Sequence, residues 1–238
     1  MSSGIYIATA GAVAQTTGLD TIANNIANAS TAGFHGDVVS FKEVLGKAKS
    51  ADTAMVNQGS THLDSAPGAI TPTGNPLDVA LEGDGYFSVQ TPQGARYTRA
   101  GNFQLDDTGH LAAADGSKVL GEGGKPISIP PTAQDVGIAT DGTISADGAV
   151  VGKLQIARFA PAQMKREGGT QFSATGKPVT TGEPPKVRAG MLEASNVNIV
   201  RGVVDMVKVQ RTYESLMKVI QGYHDLETRA ARDIGAPK

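Results

Sequence analysis

Apolar residues recur every three or four positions at both ends of this chain, whereas between the ends they alternate with polar ones in short runs. The N-terminal repeat reads Ile5, Ala8, Ala12, Gln15, Leu19, Ile22, Ile26 and Ala29. The C-terminal one reads Ile199, Val203, Met206, Gln210, Tyr213, Met217, Ile220, His224, Glu227, Ala231 and Ile234. Steps of three and four gather each set on one stripe of an α-helix. A narrow stripe of this kind buries itself against another helix. The pattern therefore predicts two terminal helices that pair. Ser2 or Ser3 is placed to cap the first helix, and Ser195 or Asn196 the second. Gly33 suits a left-handed exit after Asn28, and Gly235 with Pro237 stops the second helix.

The middle follows a period of two. Asp78 to Leu81 and Tyr86 to Val89 read as short strands, and Arg96 to Thr98 and Asn102 to Leu105, which alternate apolar and polar, as half-buried ones. Further strands are expected at Val119-Leu120, Ile127 to Ile129, Val150-Val151 and Leu154 to Ala157, with one last strand from Val187 to Glu193. Asp-Gly pairs at 115–116, 141–142 and 147–148 are hairpin turns. Phe41, Val44 and Leu45 suit a short helical or extended piece. Lys47 to Ser65 reads as loop, and Thr170 to Lys186 as an extended linker.

Composition narrows the picture. The 238 residues include 30 Gly and 12 Pro but no Trp, so any core is built from Val, Ile, Leu and a few Phe and Tyr. A net charge of −2 with no long basic run argues against nucleic-acid binding through a broad electrostatic footprint. Cysteine is absent, which excludes disulfides and thiolate metal sites. No Lys or Arg precedes Lys42, so a secretory signal with a basic start is not expected, and no apolar run is long enough for membrane insertion.

Candidate chemistry is sparse. Glu82 and Asp84 flank a turn as a glycosidase carboxylate pair could, but Gly83-Asp84-Gly85 is accounted for as a turn. Asp106 to Gly109 reads the same way. Gly121 to Lys125 lacks phosphate-loop spacing, and no Asp-Gly stretch meets the calcium-loop pattern. The histidines His35, His62, His110 and His224 form no helical metal pair, and His224 on the second seam suits a packing role. No catalytic residues, cofactor, metal or small-molecule substrate is expected.

Four blocks carry a resemblance. Leu19-Asp20-Thr21-Ile22-Ala23-Asn24-Asn25-Ile26-Ala27-Asn28-Ala29-Ser30-Thr31-Ala32-Gly33-Phe34 closely resembles the signature of bacterial flagellar rod and hook proteins. Asn75 to Phe87 is similar to the start of that family's β domain, Tyr97 to Phe103 to its next block, and Gly190 to Val197 to the entry of its C-terminal helix. The resemblance implies an α+β fold, with paired N- and C-terminal helices forming a coiled-coil-like core domain and a mid-chain all-β domain. It divides the chain into a helical core (1–35 and 195–238), a connecting segment (36–75 and 180–194) and a β-rich outer domain (76–179). It also implies a structural subunit of the periplasm-spanning rod that transmits torque. Its partners would be itself, neighbouring rod proteins and, during secretion, the flagellar export apparatus. The chain's length, the short stretch between Phe41 and Asp78 and the opening Gly4-Ile5-Tyr6 look more like a proximal than a distal rod member.

On this reading the assembly interface is the pair of seams: Ile5, Ala8, Ala12, Leu19, Ile22 and Ile26 from one end, and Val203, Met206, Tyr213, Met217 and Ile220 from the other. The first helix is rich in Ala, Thr and Asn and a lone helix pair is marginal, so both ends are expected to be loose in a monomer and to become ordered on assembly. The rival readings are an enzyme acting on cell-wall glycan, and a β-rich binding module with a helical dimerisation stalk.

Overall fold

The computed structural model describes residues 2–40, 43–45, 54–56, 60–133, 135–180 and 183–235. The chain is an α+β mix of two long helices and many short antiparallel strands. It divides into two compact units. One comprises residues 1–27, 37–62 and 198–238, and the other 28–36 and 63–197.

The first unit is built around helix α1 (Ser2–Ala27) and helix α2 (Ile199–Gly235). Helix α1 is already helical at Ser2, and both helices lie where the apolar period places them. The cap of α2 is neither Ser195 nor Asn196. Asn198 Oδ1 accepts the Arg201 N–H at 3.0 Å, which satisfies a backbone donor left free in the first turn. Between the helices the chain runs out and back as paired strands. Asp37–Ser40 pairs with Ser60–Leu63, and Glu43–Leu45 pairs antiparallel with Ala54–Val56. Val44 and Leu45 are thus extended, and the stretch expected as loop from Lys47 contains two strands. Phe41 and the segments 46–53 and 57–59 lie outside the described residues. The side chain of Asn25, near the end of α1, pairs with residue 37 as a backbone would. It donates to Asp37 O at 2.8 Å and accepts Asp37 N–H at 3.0 Å.

The second unit holds an eight-stranded sheet, a three-stranded sheet and two strand pairs, together with one short 3-10 turn at Pro161–Gln163. Its core gathers Val79, Leu81, Phe87, Val89, Phe103, Leu111, Val119, Ile127, Ile129, Ile144, Leu154 and Val187. Phe87 and Phe103 meet edge to face with centroids 5.1 Å apart. The Asp-Gly expectation holds at 147–148: φ is 49° and 81°, which is the backbone of a tight primed hairpin turn between Thr143–Ala146 and Ala149–Lys153.

Two expectations need correction here. The supposed linker from Thr170 begins as a strand, Gln171–Ala174, paired with both Met164–Gly168 and Gly94–Thr98. The supposed last strand is two strands, Lys186–Ala189 and Met191–Glu193, divided at Gly190 with φ 70°. Gly190 O accepts Thr73 N–H at 2.8 Å, and this turn passes the chain from Val79–Glu82 to a second partner, Ile70–Pro72.

Candidate functional site

The two terminal helices run antiparallel and in close contact. A side-chain carbon placed on Gly4 would lie 2.6 Å from Tyr223 Oη, one on Gly11 3.3 Å from Leu216 Cδ1, and one on Gly202 2.9 Å from Ile26 Cγ1. As the numbers on α1 rise from 4 to 26, those on α2 fall from 223 to 202. Large side chains therefore sit over hydrogen-only positions. Tyr223 and Leu216 of α2 fill notches in α1, and near the other end the roles reverse, with Ile26 filling a notch in α2. Glycine costs a helix about 1 kcal/mol relative to alanine. Gly4, Gly11 and the buried Gly18 follow one another at seven-residue steps on α1, and that cost is offset by close approach.

The predicted α1 residues share this face. Ala8 and Ala12 are buried, and Ile5, Leu19, Ile22 and Ile26 are half-buried. Ala29 falls beyond the helix. On α2 the prediction is half right. Met206, Tyr213 and Ile220 are half-buried, but the other half of the seam is displaced by one residue. Gly202, Val209, Leu216 and Tyr223 turn inward where Val203, Gln210, Met217 and His224 were expected. Val203 stays 47% exposed and Met217 39% exposed, so both are turned away from the pairing line. His224 and Glu227 are exposed, and the side chains of Ala231 and Ile234 lie outside the described residues. The missed signal is the glycine at every seventh position of α1, which a scan for apolar residues passes over.

The second unit contains a buried ionic cluster that sequence reasoning did not find. Glu193 is 1% exposed. Its Oε1 meets His35 Nε2 at 2.8 Å and accepts Gly68 N–H at 3.0 Å, while Oε2 lies 3.2 Å from Arg99 Nη1. Arg99 also donates to Gly83 O at 2.7 Å and stands 5.3 Å from the centre of the Tyr86 ring. Burial is the largest influence on the Glu193 carboxyl and raises its pKa. The His35 hydrogen bond, the Arg99 charge and the Gly68 N–H together outweigh it, and hold the group below its ordinary value of 4.5. His35 Nε2 donates to the carboxylate, and its buried Nδ1 has no partner among the described residues.

This cluster pins the short segment 28–36. Gly33 N–H donates to Glu193 O at 2.7 Å, and Arg166 both donates to His35 O and covers the Phe34 ring at 4.6 Å. At Gly33 φ is 64° and an added carbon would fall 2.3 Å from Ala100 N, so backbone geometry and space both require glycine. The Asn196 side chain closes the arrangement, accepting Gly36 N–H at 2.7 Å and donating to Ala66 O at 2.9 Å and Asp64 O at 3.2 Å.

The turn carboxylates serve local structure. Glu82 pairs with Arg188 at 2.6 Å. Asp106 accepts from the Thr108 hydroxyl at 2.7 Å, from His110 N–H at 2.8 Å and from Thr108 N–H at 2.9 Å, and its pKa is lowered to about 2, chiefly by the Thr108 hydroxyl. Among the described residues no group of three or more His, Cys, Asp or Glu is placed to hold a metal, and no helix is long and apolar enough to cross a membrane.

The chain thus holds a pair of helices with exposed apolar faces, made from both chain ends, and a well-packed β unit. Three family models match in order: "Flagella basal body rod protein" over residues 5–35, "Flagellar hook protein FlgE/F/G D1 domain" over 80–146, and "Flagellar basal body rod FlgEFG protein C-terminal" over 188–232. The chain is 31% identical to the flagellar basal-body rod protein FlgF of Mesorhizobium japonicum over 99% of both chains. It is 38% identical to the FlgF of Escherichia coli over 97% of both. It is 36% identical to the rod protein FlgG of Bacillus subtilis over 86% of this chain and 88% of that one. The chain belongs to the flagellar basal-body rod protein family, a structural family and not one of enzymes, which removes the glycan-cleaving alternative.

Proposed function

We propose that this protein is a structural subunit of the proximal part of the flagellar rod, and that its helical unit is the surface through which rod subunits pack. End-to-end similarity to the FlgF relatives supports the proximal reading over the distal one. The helix pair has coiled-coil character, with Met206, Tyr213 and Ile220 alternating with Val209, Leu216 and Tyr223 at steps of three and four. The assembly interface then has two parts: these residues with Ile5, Ala8, Ala12, Leu19, Ile22 and Ile26 hold the helix pair together, and Val203 and Met217 face outward to neighbouring subunits. The single observation that carries the proposal is the set of apolar side chains left uncovered on a helix pair that is otherwise packed face to face.

Interdigitated side chains resist shear because sliding them opens voids and loses dispersion contacts. Such a surface transmits torque from subunit to subunit. The segments 36–75 and 180–194 serve as the connection between helical core and β domain, and secretion runs through the flagellar export apparatus. The helix ends are loose in a free monomer and become ordered in the rod. Immunogold labelling of isolated basal bodies tests the proposal, with label expected at the membrane-proximal end of the rod. Label at the distal end assigns the protein to the distal rod instead, and absence from basal bodies refutes the rod reading.

A further inference from the structure

Beyond the seam, each helix presents a second face. On α1 the side turned from α2 reads Tyr6, Thr9, Val13, Thr16, Asp20 and Ala23, all exposed and again at steps of three and four. A helix face that remains in water ordinarily carries charges. Helix α1 has one charged residue among its 26, Asp20. Tyr6 is 71% exposed and Val13 48% exposed. On α2 the first turns present Val200, Val203, Val204 and Val207, the first of them 75% exposed. Basic residues border this stripe. Arg201 and Lys208 share the single acid Asp205 at 3.9 and 3.4 Å, and Arg211 follows one turn on.

We propose that the outer face of α1 in one copy packs on the Val200–Val207 stripe of a second copy of this chain, with Asp20 paired to Arg201. The inference rests on the rod-subunit reading and supplies the contact that reading lacks. Charge selects the pairing. Two α1 faces brought together would oppose their lone acids and two α2 stripes their bases, whereas unlike faces attract. The patches are different surfaces of one unit, so the contact is heterologous. Each added copy leaves one free patch of either kind, and growth stays open-ended. Copies that all point the same way along an axis keep α1 of one antiparallel to α2 of the next. With Asp20 at Arg201, that direction brings Thr16 to Val204 and Val13 to Val207.

The chain has no cysteine, which makes the contact directly readable. Two full-length single variants, Val13→Cys and Val207→Cys, are given different tags, mixed and oxidised, both as purified protein at high concentration and in basal bodies from cells expressing both. A mixed disulfide dimer roughly tenfold above either like dimer is expected, since a disulfide tolerates Cα separations only up to about 7 Å. Asp20→Arg should reduce that product, and Arg201→Asp in the other variant should restore it. Like dimers equal to the mixed one, no rescue by the second charge reversal, or a disulfide to a different rod protein would each overturn the proposal. Variants present in basal bodies but not crosslinked defeat this contact alone; absence of the tagged, otherwise unchanged protein from basal bodies defeats the rod reading beneath it. Both positions are exposed, and unchanged helical circular dichroism controls for folding.

Discussion

Phe87 and Phe172 are completely sealed within the β unit, while Val200 on the helical unit stands three-quarters in water. The β unit closes on itself, with a core of large side chains, rings packed edge to face and its most deeply buried carboxylate, Glu193, paired through both oxygens. The helical unit closes only along one line. Its seam sets glycine of one helix against a single large residue of the other, with the roles reversed towards the far end, and several apolar side chains, Tyr6, Val13 and Val200 among them, face outward. The difference teaches that one chain can hold a part that is finished when folded and a part that is finished only by its neighbours. Contiguous exposed apolar surface is the physical mark of the second kind.

The sharpest way to break that contrast is Ile22→Asp, which puts a charge into the helix seam. Incorporation into basal bodies and motility should be abolished, while the thermal transition of the β unit stays in place; normal swimming in this mutant would remove the seam from the assembly surface. Phe87→Ala addresses the other side. It should cost the β unit about 3–5 kcal/mol in urea unfolding, as expected for a large cavity in a packed core. The helical signal of the same protein should change little.

Acid should separate the two units more gently. The Glu193 carboxyl lies below 4.5 when folded, so its ionised form stabilises the β unit at pH values above 4.5. That contribution is lost as pH falls through the folded-state value. A melting temperature of the β unit that declines below about pH 4.5, with the decline reduced in Glu193→Gln, is the expected result. A flat profile in the unmodified protein would show that the cluster contributes nothing. The smallest effect belongs to the cap of α2. Asn198→Ala should lower helix stability by about 1 kcal/mol, seen as faster amide exchange confined to the first turn.

Much of this was legible in the chain. The three-and-four spacing marked both helices, and the Asp-Gly pairs marked turns, because each depends on residues within a few positions of one another. Met206, Tyr213 and Ile220 were placed correctly for the same reason. The other half of the α2 seam was not, since Val203 and Met217 stand beside Gly202 and Leu216 and a local count treats either neighbour of each pair as acceptable. The division of the last strand at Gly190 was also missed, as it arises from a change of partner 110 or so positions upstream.

Sequence by itself determined that this protein has helical ends, a strand-rich middle and membership of a rod family, because period, turn chemistry and motif order are properties of neighbouring residues. Only the tertiary structure decided which face of α2 turns inward, since that depends on where α1 has glycine notches to receive Leu216 and Tyr223. It alone brought His35 and Arg99 to Glu193, the first of them 158 residues away along the chain. No spacing rule reaches that far. A buried carboxylate takes whichever partners the fold delivers, because leaving it unpaired in a low-dielectric interior costs more than any local preference can offset.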